Sequence, residues 1–169
     1  MLASPAAAQY TRRLGKLAVE VGANVAAGQE VVVLVMDVQQ APVARAVAEA
    51  AYEAGARYVS VVYWDAHAKR ARLRHAPADS LGAVPDWYQQ LIAGCVERRG
   101  AVIVVWGDPE PELMADIDPA RAGADHMPLI PAFFQAAGGG EINWTFVPAP
   151  ARGSPSGSWA RRTWTRCGS

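Results

Sequence analysis

Between Gly28 and Asp65 the chain reads GQEVVVLVMDVQQAPVARAVAEAAYEAGARYVSVVYWD, and no other stretch limits its fold so tightly. Glu30 to Met36 and Arg57 to Trp64 are almost unbroken runs of apolar, β-branched residues, the composition of strands covered on both faces of a parallel sheet. Between these runs Val43, Val47, Ala50, Ala51 and Ala54 recur at helical spacing, with Arg45, Glu49 and Glu53 on the opposite face. Gly55 supplies a left-handed stop. Strand, helix and strand together predict a right-handed βαβ crossover, the hand in which a twisted strand and a helix pack back onto one sheet.

The same pattern continues on both sides. Leu14, Leu17, Ala18 and Val21 predict the inner face of a preceding helix that stops at Gly22. Asp65 predicts the cap of a short helix to His75 that carries Lys69, Arg70, Arg72 and Arg74. Such a basic cluster is ordinarily a solvated face; a phosphate or carboxylate site is the alternative. Pro85 opens a helix with Tyr88, Leu91, Ile92, Cys95 and Val96 at core spacing, and Gly100 ends it. Ala101 to Trp106 is a third strand, and GDPEPELM predicts another helix with Asp108 as cap and Pro109 in its first turn. Asp118 and Pro119 repeat that device, Pro128 and Pro131 break or kink the helix they open, and Ile142 to Val147 is a fourth strand. The alternation predicts an α/β fold: a doubly wound, mainly parallel, Rossmann-like sheet of about four or more strands, with helices on both faces.

Composition narrows the partners. Equal counts of 16 basic and 16 acidic residues give no reason to expect nucleic acid or an anionic membrane. No apolar run approaches the ~18 residues that span a bilayer. Two cysteines, Cys95 and Cys167, are too few for a disulfide framework, so a reduced, cytoplasmic compartment is expected. Residues 151–169 stand apart from an α/β domain over 1–150: they hold Arg152, Arg161, Arg162 and Arg166 and no acid, and lack any helical or strand period. Poor order and easy proteolysis are expected there. Trp159 and Trp164 among these arginines suit stacking on single-stranded nucleic acid, but no basic surface upstream matches them.

In doubly wound sheets ligands bind beyond the carboxyl ends of the strands. Those ends bring Asp37, Trp64, Asp65, Trp106 and Asp108 into one region, as aromatic surface and carboxylates of a possible cleft. The commoner assignment is that the aspartates cap helices and the tryptophans cover the sheet. No G-x-G-x-x-G follows the first strand, and neither a P-loop nor a G-x-S-x-G elbow occurs. His67, His75 and His126 lie too far apart to form a helical metal pair, so no catalytic or metal-binding residue is predicted in this chain.

The segments LGKLAVEVGANVAAGQEVVV, APVARAVAEAAYEAGARYVSVVYWD, HAPADSLGAVPDWY, RGAVIVVWGDPEPELMADIDPAR and EINWTFVPAP, in this order, resemble the N-terminal region of the thermophilic metallo-aminopeptidases, the aminopeptidase T-like family. The resemblance covers about Tyr10 to Pro150. It implies an N-terminal α/β domain that precedes a longer catalytic domain, homodimers, and two-metal hydrolysis of peptides. The family's metal ligands lie in that second domain, so the resemblance implies a chain without cofactor and inactive alone, meeting peptide substrate only where a catalytic domain is present. A stand-alone α/β module that binds a small ligand or a protein is the alternative. Back-translated with GC-rich codons and read in a shifted frame, the tail yields an acidic, helix-patterned string, so a frame change would account for residues 151–169. Sequencing the gene tests this: a downstream frame bearing metal ligands is expected, and its absence would refute the frame change.

Overall fold

A computed structural model of the chain describes residues 5–149 apart from 109; the expectations for residues 151–169 lie outside the described residues. Four six-residue strands, β1 (Glu30–Val35), β2 (Tyr58–Tyr63), β3 (Ala101–Trp106) and β4 (Asn143–Pro148), form one sheet in the order β2-β1-β3-β4. Every pairing is parallel: Val33 stands between Val61 on one side and Ile103 on the other, and Ile103 lies beside Thr145. The connection from β1 moves outward to β2, and the next one crosses back to β3. Strand order therefore reverses between β1 and β3, as a doubly wound sheet requires.

Alternation along the two central strands decides what each face packs against. Val31, Val33, Val35, Ala101, Ile103 and Val105 meet the helices α1 (Pro5–Leu17) and α2 (Ala41–Glu53). Val32, Leu34, Val102 and Val104 meet α4 (Asp86–Glu97) and α6 (Pro131–Gly138) through Tyr88, Ile92, Cys95 and Phe133. Burial of each such strand side chain is worth roughly 1.5–3 kcal/mol of transfer free energy. A smaller cluster of Leu73, Leu81 and Ile117 lies under α3 (Ala66–His75). The remaining helix, α5 (Pro119–Ala124), is a single capped turn and a half. Cys95 is a core residue, its thiol pushed up to about 11 by burial. No described helix is long and apolar enough to cross a membrane.

Four local expectations change. β2 packs through Val59 and Val61 on one face and Val62 on the other, but it forms an edge of the sheet, and its two ends, Tyr58 and Tyr63, are exposed. In the first helix Leu17 and Val21 face outward, while Gly15, Ala18 and Val19 are buried. Two causes combine. The helix continues as a π turn over Ala18–Gly22, closed by Ala23 N–H to the Ala18 carbonyl at 2.8 Å, and the extra residue per turn rotates Val21 off the inner face. In addition, Gly15 lets α1 touch the α2 backbone, since a Cβ there would lie 2.6 Å from the Ala46 carbonyl oxygen. Asp108 opens no α-helix; only a 3₁₀ turn, Pro111–Met114, follows it. After α4 the left-handed residue is Arg99, at φ +49°, whereas Gly100 is required because a Cβ would meet Cys95 Sγ and the Glu30 carbonyl at 2.7 Å.

The α1–α2 contact gives a stability test. Gly15→Val must push backbone from backbone, so a loss of about 2–3 kcal/mol is expected. Urea denaturation measures it, and an unchanged midpoint would show that α1 is free to move off α2.

Candidate functional site

The reversal of strand order opens a cleft of about 750 Å³ at the carboxyl ends of β1 and β3. All five side chains expected at the strand ends, Asp37, Trp64, Asp65, Trp106 and Asp108, line it. The three ends are laced together by backbone: Met36 N–H donates to the Val105 carbonyl at 3.1 Å, and Trp64 N–H to that of Val35 at 2.9 Å.

Each side chain is held by identifiable neighbours. Asp37 is buried and accepts from Gln39 N–H at 2.8 Å and from Ala66 N–H at 3.4 Å, so the end of β1 grips the first turn of α3. Next to it Gln40, also buried, donates through Nε2 to the Gly107 carbonyl at 2.9 Å and ties β1 to β3. Gly107 must be glycine, since a Cβ would lie 2.5 Å from the Ala149 carbonyl oxygen. Asp65 caps α3 by accepting from Ala68 N–H at 2.9 Å. Asp108 accepts from Glu110 N–H at 3.0 Å in an exposed turn. The ring of Trp64 stacks on Trp87, with centroids 6.5 Å apart, and meets Tyr88 edge-on at 5.4 Å. Trp106 is half exposed, edge-on to Phe146 at 5.9 Å. Asp37 and Asp65 thus act as caps and cleft walls at once.

The far wall was not legible locally. It comes from residues 125–129, and its centre is Asp125, whose side chain is 1% exposed. Arg72 Nη1 donates to Asp125 Oδ1 at 2.9 Å, and Met127 N–H donates to the same oxygen at 3.1 Å. Arg72 Nη2 also reaches the carbonyls of Ser80, Leu81 and Ala83, the shortest bond being 2.7 Å to Leu81. Lys69 stands 3.6 Å from Asp125 Oδ2 and donates to the Met127 carbonyl at 2.7 Å. Tyr88 donates to the Pro128 carbonyl at 2.6 Å, and burial raises its phenol above the ordinary range.

The basic cluster of α3 is therefore divided: Arg70 and Arg74 form a solvent-exposed ion-pair group, whereas Lys69 and Arg72 serve a buried acid, and none of the four is a free anion site. Lys69 and Arg72 hold Asp125, while Arg70 and Arg74 hold Asp116 at 2.6 and 3.6 Å. The Arg70 hydrogen bond keeps the Asp116 carboxyl below the usual carboxylate range.

Among the described residues, no three His, Cys, Asp or Glu side chains stand where they could share a metal ion. His67 lies exposed beside Glu110 at 3.1 Å, and His126 is exposed at the cleft edge. With Asp125 held by Arg72 and Asp37 by amides, the residues present do not fit a metal centre. The hub at Asp125 is testable by stability: Asp125→Ala strands Arg72 and is expected to cost about 2–3 kcal/mol. Guanidinium denaturation checks it, and a loss within ~0.5 kcal/mol, the scale of ordinary surface substitutions, would reduce the hub to a surface contact.

Comparison with known proteins gives a consistent result. A family model described as thermophilic metalloprotease (M29) matches residues 8–165, which reaches past the described residues. Aminopeptidase T of Thermus thermophilus is 30% identical over 152 residues, which are 88% of this chain and 36% of that protein. Aminopeptidase AmpS of Bacillus subtilis is 30% identical over 168 residues, 91% of this chain and 37% of its own length. The solved structure of wild-type AmpT from Thermus thermophilus superposes with a TM-score of 0.74 at 27% identity, over 92% of this chain and 42% of that one. The chain spans little more than a third of the length of these curated relatives.

Proposed function

Because the chain belongs to the thermophilic metalloprotease (M29) family, we propose that it supplies the N-terminal α/β portion of a metal-dependent aminopeptidase, an enzyme that releases N-terminal residues from peptides. The observation that supports this most directly is the superposition on AmpT along nearly the whole chain. Family membership brings metal chemistry with it, yet the side chains around the cleft do not fit an ion. In this reading the divalent metals, as a two-metal site, belong to polypeptide beyond the third of the relatives' length that this chain spans. The chain alone is then inactive, and its role is to scaffold and to contact substrate or a neighbouring domain through Trp64, Trp106 and the carboxylates beside them. A cytoplasmic location and a homodimer belong to the same reading.

A second reading is favoured by the cleft itself, whose 750 Å³ is of a size that holds small molecules. It makes the chain an α/β module that binds a small ligand or a protein in its own right. Metal analysis of the purified chain, paired with an assay for release of N-terminal amino acids, tests the first reading. Neither stoichiometric divalent metal nor turnover is expected. Bound metal with metal-dependent turnover would overturn the assignment of catalysis to other polypeptide.

A further inference from the structure

The sheet ends on one side at β4, whose outer edge has no neighbouring strand among the described residues. Asn143 N–H donates to the Gly100 carbonyl at 3.3 Å and Ala149 N–H to that of Trp106 at 2.7 Å. In a parallel ladder alternate residues bond to one neighbour, so Asn143, Thr145 and Val147 serve β3, while Trp144 and Phe146 turn their backbone groups to the open side. The same two residues are exposed through their side chains, at 42% and 39%, whereas Val147 is buried.

Their rings belong to a wider aromatic surface. Trp144 and Phe146 meet edge-on at 5.7 Å, both touch the buried Phe133 of α6, and Trp106 stands 5.9 Å from Phe146. Trp106 and Phe134 are half exposed. Four aromatic side chains at such exposure present roughly 300–450 Å². That is about half of the ~800 Å² that each partner of a stable interface buries. On the other face of the sheet Gly22 lies so close to Thr145 that a Cβ would stand 2.7 Å from its Oγ1, and the neighbouring Val21 is exposed, so the apolar surface continues there. β4 carries none of the charged residues that ordinarily guard an edge; only Pro148, which lacks an N–H, closes its far end.

A fitting occupant brings an unpaired strand edge and uncharged aromatic surface, and a second copy of β4 supplies both. Antiparallel pairing about a two-fold axis at Thr145 sets Trp144 opposite the partner's Phe146 and Phe146 opposite the partner's Trp144. Both positions point their backbone outward, so each pair exchanges its two hydrogen bonds while the rings meet on one face. No like charges oppose each other across the axis. We propose that two copies of this chain join through β4 in this way, making one continuous sheet from two four-stranded halves. This goes beyond the homodimer of the aminopeptidase reading, which names no surface, and it stands on the edge alone. Its failure would leave the metal chemistry of that reading, tested by metal content and turnover, untouched.

Sedimentation velocity of the whole chain over a range of concentrations tests this, and a reversible dimer is expected. Trp144→Lys with Phe146→Lys sets like charges against each other across the axis and is expected to weaken association about tenfold or more. Trp144→Lys with Phe146→Glu loses the same aromatic surface but opposes unlike charges, and should associate more tightly than the first pair. Tyr58→Lys with Tyr63→Lys, on the β2 edge, should leave the dimer unchanged. Near-UV circular dichroism establishes that each variant folds. As a second measurement, Thr145→Cys in a Cys167→Ser background should form an interchain disulfide on mild oxidation, because such non-hydrogen-bonded partners have Cα atoms about 4.5 Å apart. A monomer at every concentration would overturn the proposal and leave the edge to residues 151–169 or to other polypeptide. A dimer indifferent to the β4 substitutions, dissociated by the β2 pair, or unable to form the disulfide would overturn it as well.

Discussion

The parallel pairing of β1 with β3 is the constraint on which the other features depend. It places Val31 to Val35 and Ala101 to Val105 side by side in the centre of the sheet, where each strand is paired on both edges and packed on both faces. Because β2 and β4 then fall on opposite sides of this pair, the loops after β1 and β3 must turn away from each other. The gap between them is the cleft. The same hydrogen bonds that stabilise the core therefore fix the spacing of Asp37 and Asp108 relative to the tryptophans, and no lid or hinge is needed to assemble the site.

The polar groups near this gap follow one logic. Backbone amides freed at strand ends and at the first turn of α3 need acceptors, and aspartates are short enough to supply them without leaving the turn. Capping thus concentrates carboxylates at the mouth of the cleft as a by-product of satisfying the backbone. The basic residues of α3 could have cancelled this charge. Arg70 and Arg74 turn instead to Asp116, away from the cleft lining, while Lys69 and Arg72 are engaged by Asp125 in its far wall.

Much of this was legible in the residues, for physical reasons that also mark where legibility ended. The strands and α2 were readable because apolar periodicity reports burial directly, and Asp65 because a cap acts within three residues. The edge position of β2 was not readable: a valine-rich run looks the same at the edge of a sheet as at its centre, and strand order is a non-local property. The face of α1 was misplaced because the π turn after Leu17 shifts Val21, and because Gly15, which carries no apolar signal, is the residue that lets α1 approach the α2 backbone. Asp108 carried a cap signal, but its side chain closes only a local turn. Asp125 left no signal at all. Its partner Arg72 lies 53 residues away, and nothing in the spacing of either residue announces the pair.

That hub also bears on how the molecule comes apart. One guanidinium, from α3, is bonded to the carbonyls of residues 80, 81 and 83 and to the acid that begins the far wall. Arg121 closes the C-terminal end of the same helix through the carbonyls of Leu73 and Ala76. Three segments with little apolar core of their own are thereby made to open together or not at all. Amide protons across α3, the 78–83 loop and the 117–127 stretch should then exchange as one cooperative unit, distinct from the slower central strands.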